Sequence, residues 1–101
     1  MNELIIWLQE WYQSQCNGEW EHDYGITIQT LDNPGWSLLI NLDGTTMEDR
    51  NFQPIQLERT EDDWIFCELK NKRFEAACGP LNLVEILEIF RNWVTSDGSA
   101  H

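Results

Sequence analysis

The sequence predicts an α+β domain, in which about five antiparallel strands form a sheet and an N-terminal and a C-terminal helix pack on one face of it. Helical spacing of apolar residues appears near the two ends of the chain, and period-two alternation appears between them. Parallel strands would need helical crossovers, for which the middle of the chain offers no pattern. We therefore expect one domain over residues 1–95, with residues 96–101 as a flexible tail.

The N-terminal helix is predicted over residues 3–16, where Leu8 and Trp11 belong to an apolar stripe at helical spacing. Asn2 can cap the start of this helix, because its side-chain oxygen can accept a backbone N–H of the first turn. Asn17-Gly18 is a suitable end, since glycine readily adopts the left-handed conformation that follows many helices. The stripe is wide enough for the helix to lie across a sheet.

The first hairpin follows from two segments with strict apolar alternation, residues 25–31 and residues 36–42. Asn33, Pro34 and Gly35 separate them, and we expect a tight turn with proline at its first central position and glycine at its second. The two segments are therefore predicted to pair as antiparallel neighbours.

The remaining strands lie beyond a polar loop, residues 43–51. Residues 52–58 form a weaker strand pattern that Pro54 interrupts, and a strand containing proline belongs at the edge of a sheet. Residues 64–69 and 74–78 alternate more clearly and are joined by a basic four-residue turn. We expect a second hairpin there.

The C-terminal helix has the clearest start signal of the chain. Asn82 is the expected cap and Glu85 follows three residues later, while Leu81 is placed to pack on Ile86 across the first turn. Apolar residues continue at helical spacing, which predicts a buried face. That face consists of Leu83, Ile86, Leu87, Phe90 and Trp93 or Val94.

The charge of the chain restricts its partners. Eighteen acidic and six basic side chains give a formal net charge of −12. Nucleic acid and anionic membrane are poor partners for such a surface, because both are bound through Lys and Arg that displace counterions. A basic protein is the natural complement, since opposite charge accelerates association. Charge that only keeps a small protein in solution is the alternative interpretation.

The cysteine pattern indicates free thiols. Cys16, Cys67 and Cys78 are an odd number without CxxC spacing, so we expect a cytoplasmic protein. No apolar run reaches the roughly 18 residues needed to span a bilayer. Structural zinc sites use four ligands at short spacings, and only His22 and His101 accompany these cysteines. We expect neither a metal nor a cofactor.

The stretch between the first helix and the first hairpin concentrates aromatic and acidic side chains, which is the composition of a binding hot spot for a basic partner. We expect this stretch to be a loop, in which Trp20 either fills a space under the sheet or is an anchor for the partner. An acidic turn before the fourth strand would form a second patch, and by default it is simply solvated. The candidate partner-binding residues are Glu19, Trp20, Glu21, His22, Asp23 and Tyr24, with Glu61, Asp62 and Asp63 as the second patch.

Two other classes of function are compatible with these residues. A small hydrolase-like enzyme could use His22 with a nearby carboxylate, although catalysis needs a cleft and a second group aimed at the same substrate. A non-catalytic adaptor subunit would need no site of its own. The chain contains no phosphate-binding glycine loop, GxSxG elbow or HExxH motif, which favours a binding protein over an enzyme.

Several motifs, taken in order along the chain, carry a resemblance to a known family. In the first half they are Trp7-Leu8-Gln9-Glu10-Trp11-Tyr12, Cys16-Asn17-Gly18-Glu19-Trp20-Glu21-His22, Tyr24-Gly25-Ile26 and Leu31-Asp32-Asn33-Pro34-Gly35-Trp36. In the second half they are Asp63-Trp64-Ile65-Phe66-Cys67, Lys72-Arg73-Phe74-Glu75 and Asn82-Leu83-Val84-Glu85-Ile86-Leu87. Over about residues 4–94 the chain resembles the bacterial immunity protein 53 family.

The resemblance implies a cytoplasmic antidote that is encoded beside a polymorphic toxin and that binds and neutralises it without catalysis. Many such toxins are basic enzymes that attack nucleic acid, so an acidic inhibitor could cover their active site. The resemblance assigns no contact residues. The protein could act as a monomer or as a homodimer joined through an exposed strand edge.

Overall fold

The computed structural model describes residues 3–96, so Asn2 and the predicted tail residues 97–101 lie outside it. Its elements are α1 (Glu3–Gln15), α2 (Trp20–Asp23), β1 (Ile26–Leu31), β2 (Gly35–Asn41), β3 (Ile55–Glu58), β4 (Trp64–Lys70), β5 (Arg73–Cys78) and α3 (Leu83–Thr95). The five strands form one sheet in the order β1-β2-β5-β4-β3, and every neighbouring pair is antiparallel. The predicted α+β class and its five-stranded antiparallel sheet are confirmed.

The two faces of the sheet differ because side chains alternate along each strand. The pairing register sets Ile26 opposite Ile40, and Ile40 opposite Phe74. This row and the parallel rows on either side of it form the helix face. Its buried members are Leu38, Ile40, Ile65, Cys67, Phe74, Ala76 and Cys78. They share one core with residues of α1 and α3, so both helices pack on this face as predicted.

The other face, which we call the open face, is only partly covered. Its side chains are half-buried in the centre, where Ser37, Leu39, Phe66 and Glu75 line a shallow concavity of about 470 Å³. Arg73 pairs there with Glu75 at 3.1 Å. A sheet with one face packed and one face solvated is common among antiparallel proteins.

The centre of the core is a cluster of aromatic rings around Phe90. This side chain is completely buried, and its ring centroid lies 5.1 Å from that of Trp11 and 5.1 Å from that of Phe74. The rings of Trp7 and Trp93 lie about one ångström farther away, at 5.9 Å and 6.1 Å. Phe90 therefore joins α1, α3 and the sheet in one contact cluster.

The turn between β4 and β5 follows local backbone chemistry. Asn71 and Lys72 both have positive φ, 54° and 61°. Two consecutive left-handed residues are the geometry of a type I′ turn, which matches the twist of antiparallel strands. The predicted second hairpin is thus closed by a two-residue loop rather than by four residues.

The turn between β1 and β2 differs from the prediction. Leu31 pairs with Gly35, so the loop consists of residues 32–34 and Gly35 is already in β2. Gly35 is required for a different reason: a Cβ at this position would overlap the backbone carbonyl oxygen of Cys78 in β5. The glycine therefore permits close approach of two strands and does not serve the turn.

The region before β4 also departs from the sequence-based expectation. The strand predicted from residue 52 begins only at Ile55, directly after Pro54, and the ring of Phe52 packs on Phe74 instead. The loop predicted to be polar contains two buried residues, Thr45 and Met47, and Met47 belongs to the core that the sheet shares with the helices. β3 is nevertheless the edge strand that was predicted.

The start of α3 is stabilised differently from the predicted capping box. Asn82 stands at the cap position, but its side-chain oxygen makes no capping hydrogen bond. Its Nδ2 group donates instead to Asp63 at 2.9 Å and to Glu85 at 3.0 Å. Leu81 is 93% exposed, so the predicted packing on Ile86 is wrong. Across residues 3–96, none of the helices has the length and apolar character needed to cross a membrane.

Candidate partner-binding surface

The predicted loop after α1 contains a short helix, α2, and the prediction of a loop over residues 20–23 is wrong. The chain reverses at Gly18, whose φ is +92°. The side-chain oxygen of Asn17 accepts the backbone N–H groups of Glu19 and Trp20, both at 2.9 Å. In return the Glu21 carboxylate accepts the N–H groups of Asn17 at 2.9 Å and Gly18 at 2.8 Å. These reciprocal bonds hold the chain reversal before α2 and satisfy the N–H of Trp20, the first residue of the helix.

Glu21 is committed to this local structure. Its own backbone N–H, together with those of Asn17 and Gly18, holds the pKa of the Glu21 carboxyl below its ordinary value. A carboxylate that already accepts backbone donors is a poor partner for a neighbouring acid or base. His22 lies exposed on the same helix. The structure therefore does not form the acid–base pair that a hydrolase using His22 and Glu21 would need.

Trp20 is a core residue. It is 4% exposed, and its ring stands edge-on to Trp11 with 6.3 Å between the centroids. The ring of Tyr12 also packs against it, with 5.8 Å between the centroids. Of the two roles predicted for Trp20, the structure shows the buried one, so this ring is not a surface anchor in the folded protein.

Four carboxylates surround a concavity beside α2, which we call the acidic concavity. It measures about 460 Å³ and its acidic lining residues are Glu19, Asp23, Asp43 and Glu48. Tyr24 forms one wall. The N–H of Asn41 donates to the carbonyl of Gly25, and this bond joins the end of β2 to the start of β1. The loop that follows β2 therefore lies beside the acidic concavity.

The charges of the acidic concavity are largely uncompensated. Lys72 donates to Glu48 at 2.8 Å, and this bond lowers the pKa of the Glu48 carboxyl. Within residues 3–96, the remaining three carboxylates of the concavity form no ion pair. Such a surface favours a cationic group from outside.

An apolar groove adjoins the acidic concavity. It measures about 420 Å³, lies between α1 and the start of β1, and is lined by Ile5, Leu8, Gln9, Tyr12, Tyr24, Gly25 and Ile26. Three of these side chains are exposed, with Ile5 at 43%, Tyr24 at 41% and Tyr12 at 38%. Tyr24 lines both the groove and the concavity. We call the two together the Tyr24 surface.

Sequence reasoning found only part of this surface. Glu19, Asp23 and Tyr24 were predicted from their local composition, whereas Asp43 and Glu48 were assigned to a polar loop. About twenty residues separate the two groups along the chain. A signal did exist: residues 43–51 contain three carboxylates, the same number as residues 19–24. Its position next to the first was not predictable from local pattern.

The second predicted patch lies at the diagonally opposite corner of the sheet. The patch follows β3, and β3 and β1 are the two opposite edge strands of the sheet. Along the strand direction, the patch lies at the end of the sheet where β2 begins. Glu61 and Asp62 are exposed there. Asp63 is not free, because its carboxylate accepts from Arg59 at 2.9 Å and from Asn82 at 2.9 Å. The structure thus does not join the two patches into one surface.

The role of Asp63 predicts a pH dependence. Hydrogen bonds from Arg59 and then Asn82 lower the pKa of the Asp63 carboxyl below its ordinary value. A lowered pKa means that the folded state favours the charged form, so this stabilisation is present above about pH 4 and is lost as the pH falls through the folded-state pKa. We expect Asp63→Asn to be less stable than the natural chain at neutral pH, with a difference that shrinks below about pH 4.

Urea unfolding between pH 3 and pH 7 measures this effect. Asp62→Asn is the matched control, because the Asp62 side chain is exposed and forms no ion pair within residues 3–96. Its stability difference from the natural chain is expected to stay small at every pH. Parallel curves for the two variants would contradict the structural role of Asp63.

The buried cysteines are structural. Cys67 and Cys78 are completely buried on the helix face, and burial raises the pKa of the Cys67 thiol to about 12 and that of Cys78 to about 11. Thiols with such pKa values stay protonated and unreactive at neutral pH. In the described part of the chain, no three His, Cys, Asp or Glu side chains are grouped closely enough to hold a metal ion.

Comparisons with known proteins identify the family. The family model described as Immunity protein 53 matches residues 5–95, which is most of the chain. Neither the curated proteins nor the solved structures gave a match. The motifs quoted above from both halves of the sequence all lie within the matched region or at its border, and the chain belongs to the Immunity protein 53 family.

Proposed function

We propose that this protein neutralises a cognate toxin by direct contact and that the contact is made by the Tyr24 surface. The family supports an immunity role and a toxin partner. The observation that carries the assignment of the surface is the position of Tyr24, which is 41% exposed and lies between an apolar groove and an acidic concavity. An exposed aromatic ring between apolar and charged surroundings is the usual arrangement of an interface hot spot.

The charge of the protein supports a basic toxin. A net charge of −12 creates a negative field around the whole domain, and the acidic concavity concentrates unpaired carboxylates beside the apolar groove. Long-range attraction would raise the association rate with a basic protein and would weaken with salt over a screening length of about 8 to 10 Å. We propose that the two proteins meet in the cytoplasm.

The environment of four other ionisable side chains supports a non-catalytic mode of action. Glu21 is bound by backbone N–H groups, Asp63 by Arg59 and Asn82, and the two buried thiols are protonated at neutral pH. Because the Glu21 carboxylate is already bound, it is not available as an acid–base partner for the exposed His22 side chain. Occlusion of the toxin requires none of these groups to react.

Charge reversal at the acidic concavity tests the proposal. The double variant Asp23→Lys, Asp43→Lys changes the net charge by four units in the wall of the concavity, and within residues 3–96 neither side chain forms an ion pair. We expect the association rate with the purified toxin at low salt to fall by about tenfold or more. Stopped-flow or surface-based kinetics measure the rate, and growth rescue in cells that express the toxin gives the functional result.

The second patch provides a matched control. The double variant Glu61→Lys, Asp62→Lys makes the same change of net charge at the opposite corner, at exposed positions. It is expected to keep the association rate within about threefold of that of the natural chain. If instead this variant loses binding while Asp23→Lys, Asp43→Lys retains it, the toxin binds the second patch and the Tyr24 surface is the wrong assignment.

A further inference from the structure

β1 is an edge strand with a free outer side. In the sheet it pairs only with β2, and across residues 3–96 no other strand lies against its outer edge. Four consecutive residues of β1, Thr27, Ile28, Gln29 and Thr30, are exposed. An unpaired edge presents backbone N–H and C=O groups that can add a further strand.

The hydrogen-bond pattern shows which residues of β1 have free backbone groups. The N–H of Asn41 donates to the carbonyl of Gly25, and the N–H of Leu42 donates to Lys72. In antiparallel pairing the direction of these groups alternates along the strand. Both bonds lead to the same assignment. In β1, Thr27 and every second residue after it point their backbone N–H and C=O groups toward β2. Those of Ile26, Ile28 and Thr30 therefore point outward.

The other edge of the sheet is protected and β1 is not. The same alternation applies to β3. The N–H of Arg59 donates to the Asp63 carbonyl, so every second residue counted back from Arg59 points its backbone groups toward β4. Those of Pro54, Gln56 and Glu58 therefore point outward. Proline offers no donor, and a charged side chain discourages pairing. β3 is also only four residues long. β1 has six residues, none charged and none proline.

The apolar groove lies where the side chains of an added strand would fall. Ile26 lines the groove, and Ile28, on the same face of β1, is 39% exposed. A strand placed along the outer edge of β1 would continue the helix face of the sheet, and its alternate side chains would contact the groove beside α1. Ile5 and Tyr12 of α1 are exposed at that position.

Charge indicates what occupies the edge. The groove meets the acidic concavity at Tyr24, immediately before β1, so one end of an added strand would lie beside unpaired carboxylates. A second copy of this chain would bring another net charge of −12 to the same place. A basic partner is therefore favoured over self-association.

We propose that the toxin contributes an extended segment that adds to β1 as a sixth strand. Its apolar side chains at alternate positions contact the groove, and a Lys or Arg at one end enters the acidic concavity. Backbone hydrogen bonds give affinity in this mode of recognition, and the alternate side chains give specificity. This inference rests on the proposed function and specifies its contact.

Amide hydrogen exchange in the natural chain, with and without its purified toxin, tests strand addition directly. In the free protein, the outward amides of Ile26, Ile28 and Thr30 are expected to exchange much faster than the inward amides of Thr27 and Gln29. In the complex, exchange at the outward positions is expected to slow by about tenfold or more, which removes the alternation.

A pair of variants tests the side-chain contact. Ile28→Lys, Thr30→Lys places two charges on the groove side of β1, and Thr27→Lys, Gln29→Lys places them on the open face of the same strand. Both pairs add the same charge at exposed positions. We expect the first pair to weaken the complex by about a hundredfold and the second by no more than about threefold, because only the first pair lies on the face where the added strand contacts the groove.

The outcomes separate the two proposals. A complex that forms and protects cells while the outward amides still exchange rapidly would overturn strand addition and leave toxin binding intact. Absence of both complex and rescue would overturn the proposed function and with it this inference. Protection of the outward amides that appears with rising concentration of the protein alone would show that a second copy occupies the edge, which also contradicts the inference.

Discussion

Replacing Phe90 with alanine is expected to remove about 3–5 kcal/mol from the free energy of unfolding. The side chain is completely buried and its ring contacts four other rings, those of Trp7, Trp11, Phe74 and Trp93. These rings belong to α1, β5 and α3, so no single element can close the cavity left behind. For a domain of this size the loss corresponds to a fall in Tm of about 15 °C or more.

Thermal and urea unfolding measure this loss, with Phe66→Ala as the control. Phe66 undergoes the same chemical change, but it lies half-buried on the open face, where solvent can fill the space. Its expected cost is about 1 kcal/mol. Equal losses in the two variants would show that the ring cluster is not the centre of the core.

Trp20→Ala and Tyr24→Ala are expected to affect different properties. The first should lower the stability of the fold and the second should weaken toxin binding, which distinguishes a core ring from a contact ring. Trp20 is 4% exposed and packs on Trp11 and Tyr12, so its loss is expected to cost about 3 kcal/mol or more of stability. Tyr24 is 41% exposed. Its replacement is expected to leave the stability within about 1 kcal/mol and to weaken toxin binding by about thirtyfold, the cost of about 2 kcal/mol typical of a hot spot.

Unfolding curves together with calorimetric titration of the toxin check both variants. Trp20→Phe is the control for the core position, because it keeps an aromatic ring against Trp11 and should recover part of the stability. If Trp20→Ala folds normally and abolishes binding, then Trp20 leaves the core when the toxin binds and acts as the anchor. If Tyr24→Ala binds as well as the natural chain, the Tyr24 surface is not the interface.

Elements set by local pattern were predictable. The apolar spacing that predicted α3 also predicted its buried residues Ile86, Leu87 and Phe90. The strands of both hairpins were predicted to within about two residues, since alternation and turn residues act over short distances. Pro54 correctly placed β3 at an edge, because proline cannot donate to a strand on its N–H side.

Predictions failed where a side chain had two possible partners. Asn82 was expected to cap α3 and instead donates to Asp63 and Glu85. Residues 20–23 were expected to be a loop because their acidic, aromatic composition has no helical stripe, yet Asn17 and Glu21 supply the bonds that start a helix there.

The assignment of the free edge also required the structure. The strand order β1-β2-β5-β4-β3 depends on β2 pairing with β5, more than thirty residues later in the chain. From alternation alone, β1 could have been an interior strand, and its uncharged sequence would then have been ordinary. At an edge, the same six residues are an unprotected surface for pairing.

The sequence by itself determined the α+β class, the set of strands, the buried face of α3, the acidity of the surface and the family. Periodicity, turn residues and composition carry this information because they act within a few residues or over the chain as a whole. Only the tertiary structure decided which aromatic ring is buried, which carboxylates are bound and which strand edge is free. These properties depend on contacts between residues far apart in the chain, such as Lys72 with Glu48 and Arg59 with Glu85.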